Sequence, residues 1–176
     1  QVHKNMQTNK NIIFLSDDMG APALDKIRED YKDRFINVGI AEQNLINIAA
    51  GLALEGFDVF VYAIAPFYMR AYEQIRINLS LTGELRNLNV NLIGVGAGLS
   101  YDVSGPTHHC VEDITIMRAL PNLKLFSPLI ILYICKLNFS STPNSCNFFE
   151  ISSSYFPQTS FMKNVKVVSL KTILAL

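Results

Sequence analysis

Short apolar runs alternate with longer amphipathic segments along most of this chain. Buried strands are predicted for NIIFLSDD (11–18), FINVGI (35–40), DVFVYAIA (58–65) and NVNLIGVGAG (89–98). Helices are predicted between them, for 21–35, 42–54 and 66–81, where apolar residues recur at helical spacing. This alternation predicts the α/β class, with an open, mostly parallel sheet and helices on both of its faces.

In such a sheet the ligand site lies at the carboxyl ends of the strands. The residues that directly follow predicted strands are Asp17 and Asp18, Glu42, Phe67 and the segment 98–110. Glu42 is notable because it lies in an almost uninterrupted run of apolar and small residues, near the point where a strand becomes a helix. These residues are therefore the first candidates for a functional site.

The composition excludes several classes of function. The chain has 176 residues, which fits one domain or one domain with a tail, and 49% of them are hydrophobic. Its 15 basic and 15 acidic residues cancel and form no basic block, so no nucleic-acid partner is expected. QVHKNMQTNK lacks the apolar core of a signal peptide, and LIILYIC (129–135) is too short to span a bilayer. We expect a cytoplasmic protein with no membrane partner and with reduced thiols at its three cysteines.

The loop 98–110 and the helix predicted after it contain several residue types that bind metals. His108, His109, Cys110, Glu112 and Asp113 are close in sequence, but adjacent residues rarely converge on one ion, and no HxxxH or CxxC spacing is present. No metal site is therefore expected here. A histidine in a loop at the strand ends is better interpreted as a hydrogen-bonding or proton-handling group.

Three separate motifs carry a resemblance to a known family. DRFINVGIAEQN (33–44), APFYMRAYEQIR (65–76) and GPTHHCVEDITIMRALPN (105–122), in this order and spacing, resemble the pyrimidine-binding domain of the transketolase family. The resemblance covers residues 10–127, which we take as the domain. It is greatest to the separate C-terminal subunits of split transketolases, with deoxyxylulose-phosphate synthases as the nearest neighbour. It implies the thiamine-diphosphate-binding fold.

The resemblance gives Glu42 a catalytic and cofactor-binding role. In this family the matching glutamate hydrogen-bonds a ring nitrogen of the aminopyrimidine of thiamine diphosphate and stabilises its imino tautomer, so that the exocyclic nitrogen takes the proton from the thiazolium carbon. The sequence around Glu42 suits this role, because apolar surroundings disfavour the charged form of a carboxyl and let it share a proton with a weakly basic nitrogen. The alternative is a carboxylate that merely complements the start of a helix.

The other site residues are also implied by the resemblance, each with an ordinary structural alternative. Phe67 matches the aromatic residue that stacks on the pyrimidine, or it is a core phenylalanine. Asp18 matches an aspartate near the pyrimidine pocket, or it caps a turn. Arg70 faces a sugar phosphate, or it belongs to a solvated helix face. His108 matches the histidine that contacts substrate oxygens near the reacting carbon, or it bonds to the backbone of its loop.

Two departures from the family pattern limit what the resemblance implies. Ser104 replaces an aspartate that contacts a substrate hydroxyl in many transketolases, so the sugar substrate is not identified. The chain also has no GDG motif followed by a distant asparagine, the pattern that binds Mg²⁺ and the diphosphate. A diphosphate-binding transketolase subunit is therefore expected as partner, in a heterodimer or a higher assembly, and it would supply the Mg²⁺ ligands.

The composition changes abruptly after residue 128. Residues 128–176 are rich in Ser, Asn, Phe and Ile, contain two of the three cysteines and have Glu150 as their one acidic residue. We interpret them as an atypical tail, either aberrant or truncated, and we expect a sheet that is incomplete at this end. The alternative is a divergent tail that still forms structure, with a strand at NVKVVSL.

Two functional hypotheses follow. In the first, the chain is a subunit or fragment of a thiamine-diphosphate-dependent transferase, active only with its partner, that moves a two-carbon ketol unit between sugar phosphates. A deoxyxylulose-phosphate synthase-like activity is the enzymatic alternative. In the second, the chain is a non-catalytic truncated product, or a binding module that pairs with a diphosphate-domain partner.

Overall fold

The fold is a twisted parallel sheet covered by helices. The structure, a computed structural model, describes residues 1–127, 150–152 and 165–170. Its strands are β1 (Ile12–Ser16), β2 (Phe35–Asn37), β3 (Asp58–Ile64), β4 (Asn89–Val95), β5 (Leu123–Phe126), β6 (Glu150–Ser152) and β7 (Val165–Leu170). Its α-helices are α1 (Val2–Thr8), α2 (Asp25–Asp30), α3 (Glu42–Leu54), α4 (Tyr72–Gln74), α5 (Thr82–Leu85) and α6 (Asp113–Arg118). The predicted α/β class is confirmed.

The strands are ordered β2-β1-β3-β4-β7-β5-β6 across the sheet. All neighbouring pairs are parallel except β5 and β6, which are antiparallel. The chain leaves β1 for β2 on one side and then returns through α3 to β3 on the other side. The strand order therefore reverses at β1, and the crevice in which open parallel sheets bind ligands is expected there, between the carboxyl ends of β1 and β3.

Two apolar clusters cover the two faces of the sheet. On one face α3 packs against β1, β3 and β4, through the buried residues Leu45, Ile46, Ala49, Leu15, Val61 and Leu92. On the other face Met6 of α1 and Ile27 of α2 pack against Phe14 and Phe60. Alternate strand residues thus belong to opposite faces, as expected for a sheet that is buried on both sides.

The helix predicted for 42–54 begins and ends at the predicted residues, whereas two other predicted helices are altered. The segment 21–35 contains a 3-10 turn at Pro22–Leu24 followed by α2, and Phe35 already begins β2. The segment 66–81 is divided into a 3-10 helix at Ala65–Ala71, α4 and a π-helix at Ile75–Leu81.

Tertiary contacts explain the irregular start of this second segment. The hydroxyl of Tyr68 donates to the carbonyl oxygens of Val61 (3.0 Å) and Ile93 (3.2 Å) on two neighbouring strands. A Cβ atom at Gly94 would lie only 3.2 Å from that of Ala65, so the segment lies directly on the sheet. The sheet therefore fixes the path of the Ala65–Ala71 segment more strongly than helix propensity does.

The tail contributes to the sheet, which corrects the expectation of an incomplete sheet. β7, within NVKVVSL, lies between β4 and β5 and is parallel to both. The physical reason is that β4 and β5 would otherwise present unpaired edges, and a β-branched segment can bridge them. The remainder of 128–176 lies outside the described residues, and the domain boundary at 127 stays a prediction.

Candidate functional site

The candidate site is the crevice at the carboxyl ends of β1, β3 and β4. Asp17 follows β1, the Ala65–Ala71 segment follows β3, and the loop that contains His108 follows β4. Glu42 begins α3, the helix that returns the chain across β1 to β3. Parallel strands end at the same edge of a sheet, so residues distant in sequence are gathered there.

Glu42 is a buried acid, not a surface charge. Its side chain is 6% exposed, and it is the first residue of α3, where the helix dipole favours negative charge. Its Oε2 lies 3.8 Å from Nε of Arg70, whose side chain is 71% exposed. The carboxylate is therefore held inside the protein, while the cation that faces it is open to solvent.

Asp17 is a second buried acid in the crevice, and it was not among the predicted cofactor ligands. It is 4% exposed, and its Oδ1 has no hydrogen-bond partner among the described residues. Burial, and then the negative charge of Glu42, raise the pKa of Asp17 to about 6. Asp18, the predicted residue, is exposed, and its carboxylate accepts a hydrogen bond of 3.1 Å from the amide of Asn37.

The direction of the β1 side chains explains the burial of Asp17. Side chains alternate between the faces of a strand, and Leu15 lies on the face that α3 covers. Continuing this alternation by one step places Asp17, not Asp18, towards α3 and Glu42.

An aromatic group lies where the segment after β3 meets the loop after β4. Phe67 is half-buried, and its ring meets that of His108 edge to face, with centroids 5.5 Å apart. Tyr101 meets the same His108 ring at 6.1 Å, and Nδ1 of His108 lies 3.0 Å from Oγ1 of Thr107. Phe67 and His108 are thus brought together as two predicted site residues, and Tyr101 is added to them.

Gly96 explains how Tyr101 reaches this position. Gly96 has a φ of +78°, and a Cβ atom there would lie 2.1 Å from Cε2 of Tyr101. The ring therefore lies where a side chain at residue 96 would be, and only glycine allows it. Ser104 is close in sequence but exposed, and its backbone amide donates to the carbonyl oxygen of Tyr101 at 3.1 Å.

Residue types that bind metals follow β4 between residues 108 and 113. Within residues 1–127, 150–152 and 165–170 there is no group of three or more His, Cys, Asp or Glu residues that could hold a metal ion. Cys110 is buried and exchanges backbone hydrogen bonds with Gly98, and burial raises the pKa of its thiol to about 12. In the same described part of the chain, no helix is long and apolar enough to cross a membrane.

The fold defines a parallel α/β domain with a candidate ligand site at its switch point, where two buried acids, Asp17 and Glu42, follow β1 and begin α3. Residues 2–129 match the family described as "Transketolase, pyrimidine binding domain". The chain belongs to this family.

Named relatives agree with this assignment. The chain is 39% identical over 119 residues to one subunit of an apulose-4-phosphate transketolase from Actinobacillus succinogenes, in a match that covers 67% of this chain and 33% of the relative. It is 43% identical over 121 residues to a "1-deoxy-D-xylulose-5-phosphate synthase" from Desulfotalea psychrophila, covering 68% of this chain and 18% of that one. The chain thus spans about a third of the first relative and less than a fifth of the second.

Solved structures give the same fold. A structure titled "Split gene transketolase, inactive beta4 tetramer" is similar with a TM-score of 0.67 and 25% identity, over 97% of this chain and 49% of that one. A transketolase from Campylobacter jejuni is similar with a TM-score of 0.69 and 17% identity, over 96% of this chain and 24% of that one.

Proposed function

We propose that this chain supplies the pyrimidine half of the active site of a thiamine-diphosphate-dependent, transketolase-like enzyme that transfers a two-carbon ketol unit between sugar phosphates. The observation that carries the proposal is the burial of Glu42 at the start of α3, at the switch point of a transketolase-family sheet. A carboxyl in that position can hold a proton against a weakly basic ring nitrogen.

The residues of the crevice fit an aminopyrimidine. Oδ1 of Asp17 is a buried acceptor without a partner among the described residues, and an amino-substituted ring offers the donor that it lacks. Phe67 is half-buried and offers an aromatic surface in the segment that follows β3. Thiamine diphosphate, when bound, supplies the nucleophilic carbon and the electron sink for ketol transfer.

Each side chain then has a distinct task. Glu42 holds the proton at the ring nitrogen, and Phe67 packs on the ring. His108 hydrogen-bonds a substrate oxygen near the reacting carbon, and the contact between its ring and Phe67 keeps it close to the pyrimidine. Arg70, exposed at the mouth of the crevice, binds the substrate phosphate.

Asp18 and Ser104 have weaker support as site residues. Both are exposed, and the contacts described above tie Asp18 to Asn37 and the backbone of Ser104 to Tyr101. We retain Asp18 as a cofactor-binding candidate and Ser104 as a substrate-binding candidate, because both lie in segments that follow strands of the crevice.

The diphosphate and Mg²⁺ would be held by a second polypeptide. The chain carries no GDG motif, and two of the relatives are named as one subunit of an apulose-4-phosphate transketolase, which supports a pairing with a diphosphate-binding subunit. We propose a heterodimer or a higher assembly of these two subunits as the active form.

A second candidate function is a chain without turnover of its own. The similar solved structure carries the word "inactive" in its name, and the sequence of this chain diverges from the family pattern after residue 128. A deoxyxylulose-phosphate synthase-like activity is a third candidate, supported by the 43% identity to such an enzyme.

The test is reconstitution. The full chain is mixed with a transketolase subunit that carries the GDG motif, with thiamine diphosphate and Mg²⁺, and ketol transfer between sugar phosphates is followed. Glu42→Gln is compared with Glu55→Gln, a change at the exposed end of the same helix. Activity that is lost only in Glu42→Gln supports the proposal, whereas equal activity in all three proteins contradicts it. If the wild-type mixture shows no transfer although both subunits associate, the non-catalytic function is favoured.

A further inference from the structure

The loop between β4 and α6 fixes the backbone at His108. Gly98 and Cys110 exchange two backbone hydrogen bonds, of 2.6 and 2.8 Å, which close the loop at its base. Within the loop, the amide of His108 donates to the carbonyl oxygen of Gly105 at 3.0 Å. The position of the His108 ring then depends on the side chains around it.

Two aromatic rings restrict the ring of His108. Phe67, from the segment after β3, and Tyr101, from the same loop as His108, both meet it edge to face, with interplanar angles of 66° and 73°. This is a favoured geometry for aromatic pairs. The Tyr101 ring is itself fixed, because it fills the space beside Gly96 that a side chain would otherwise occupy. His108 is therefore held between two rings that come from different segments of the chain.

The two ring nitrogens of His108 have different surroundings. Nδ1 lies 3.0 Å from Oγ1 of Thr107, whereas the described residues provide no hydrogen-bond partner for Nε2. In a neutral histidine one nitrogen donates and the other accepts, and the bond made by the first decides the state of the second. Nε2 is thus the nitrogen left for a substrate, and Thr107 controls whether it carries a proton.

The chemistry of the substrate decides between the two directions of this hydrogen bond. A hydroxyl that donates to Nδ1 leaves the proton of the ring on Nε2, whereas a hydroxyl that accepts from Nδ1 leaves Nε2 without one. A ketose presents a carbonyl oxygen at its reacting carbon, and a carbonyl oxygen only accepts. The first direction is therefore the one that suits the role proposed for His108.

We propose that Thr107 and Tyr101 are positioning residues for His108. Thr107 donates to Nδ1 and keeps the proton on Nε2, and Tyr101 fixes the ring so that this N–H meets the carbonyl oxygen of the substrate. The inference deepens the proposed function and rests on it for the role of His108. Its contacts belong to this chain alone, so they are measurable without cofactor or partner.

The first test measures the tautomer of His108 by ¹⁵N NMR of the full chain, labelled in its three histidines, at a pH that keeps the rings neutral. His108→Gln identifies the His108 signals. We expect Nε2 at the shift of a protonated ring nitrogen and Nδ1 at that of an unprotonated one. Thr107→Val removes the hydroxyl and should move both signals towards those of free histidine, in which both tautomers are populated. Thr107→Ser keeps a hydroxyl and should leave them in place.

A second pair of variants tests Tyr101. Tyr101→Phe keeps the ring and should preserve the proton shifts of the His108 ring, whereas Tyr101→Leu should move them to the values of an unstacked histidine. In the enzyme reconstituted with its partner subunit, Thr107→Val and Tyr101→Leu should each lower kcat by about tenfold, since a hydrogen bond to the carbonyl oxygen strengthens as charge develops there. Thr107→Ser and Tyr101→Phe should stay close to wild type.

Three results overturn the inference. The first is a proton on Nδ1 of His108 in the wild-type chain, which is measured without any variant that could fail to fold. The second is a set of His108 signals that is the same in wild type, Thr107→Val and Tyr101→Leu. The third is an unchanged kcat for these two variants in an active complex. Failure of the proposed function is seen separately, as a wild-type complex without ketol transfer, and it leaves the NMR result unchanged.

Discussion

Nε of Arg70 lies 3.8 Å from Oε2 of Glu42, so an exposed guanidinium faces a buried carboxylate across the mouth of the crevice. This relationship joins the segment after β3 to the first residue of α3. An arginine that is 71% exposed on its side chain remains available to an anion from solvent, which supports its proposed role towards a substrate phosphate.

Replacement of Arg70 tests its role towards the substrate. We expect Arg70→Gln to raise the KM for the sugar phosphate by about tenfold or more, since a charge-assisted contact contributes about 1.5–3 kcal/mol. Arg76→Gln is the control, because Arg76 is exposed in the Ile75–Leu81 helix, further along the same helical segment. Steady-state kinetics of the reconstituted enzyme give KM and kcat. An unchanged KM with a reduced kcat contradicts a role of Arg70 in phosphate binding.

The raised pKa of Asp17 predicts a dependence of stability on pH. The folded chain keeps a proton that the unfolded chain releases between pH 3.8 and about 6, so the contribution of Asp17 to stability falls as pH rises through that window. Above it, the loss amounts to about 3 kcal/mol. Asp17→Asn should remove this part of the pH dependence and stabilise the chain at neutral pH.

Urea unfolding of wild type, Asp17→Asn and Asp33→Asn at acidic and neutral pH measures this effect, with Asp33→Asn, at an exposed turn, as the matched control. Parallel pH profiles for wild type and Asp17→Asn mean that Asp17 does not titrate in this window.

The buried hydroxyl of Tyr68 predicts a purely structural effect. Tyr68→Phe removes the donor that two strand carbonyls share, at a cost of about 1 kcal/mol in the free energy of unfolding. Tyr101→Phe keeps the ring that packs near Gly96 and should cost less. Denaturant unfolding of the two variants makes the comparison, and a larger loss in Tyr101→Phe contradicts it.

Gly96 and Gly98, both in the loop after β4, allow a controlled comparison of two alanine substitutions. Both have positive φ, +78° and +68°, but a Cβ atom meets the Tyr101 ring only at Gly96. Backbone strain should lower the free energy of unfolding by about 1 kcal/mol in each alanine variant. The clash with the Tyr101 ring should lower it further in Gly96→Ala and displace Tyr101 from His108. Adding Tyr101→Ala to Gly96→Ala should remove the clash and reduce the difference in destabilisation between the Gly96 and Gly98 substitutions. Equal unfolding free energies for the two single variants indicate that the ring does not constrain residue 96.

The parts of the fold that local patterns determine were predictable from the sequence. The helix Glu42–Leu54 has a regular apolar face and a glycine shortly after its end, and its predicted bounds are correct. The strands β1 to β4 were predictable because each lies in a short apolar run, whereas β5 and β6 were not predicted. The switch-point crevice followed from the alternation of strands and helices, which needs no side-chain geometry.

Features that depend on distant contacts were not predictable in this way. The mixed helix types of Ala65–Leu81 depend on the close approach of Ala65 to Gly94. Whether Asp17 or Asp18 belongs to the site depends on the face of the sheet on which each side chain lies. Because β1 is buried on both faces, its sequence shows no alternation of polar and apolar residues that would indicate this face. The insertion of β7 between β4 and β5 joins segments far apart in the chain, and composition alone indicated the opposite.

Proton exchange at the thiazolium carbon of thiamine diphosphate tests the role of Glu42 most directly. The cofactor is bound with Mg²⁺ to the complex of this chain and its partner, and the loss of the carbon-bound proton to D₂O is measured by NMR. We predict an exchange rate about 100-fold or more lower in Glu42→Gln than in wild type, with Glu55→Gln unchanged. Equal exchange rates in wild type and Glu42→Gln, with the cofactor bound in both, contradict the account.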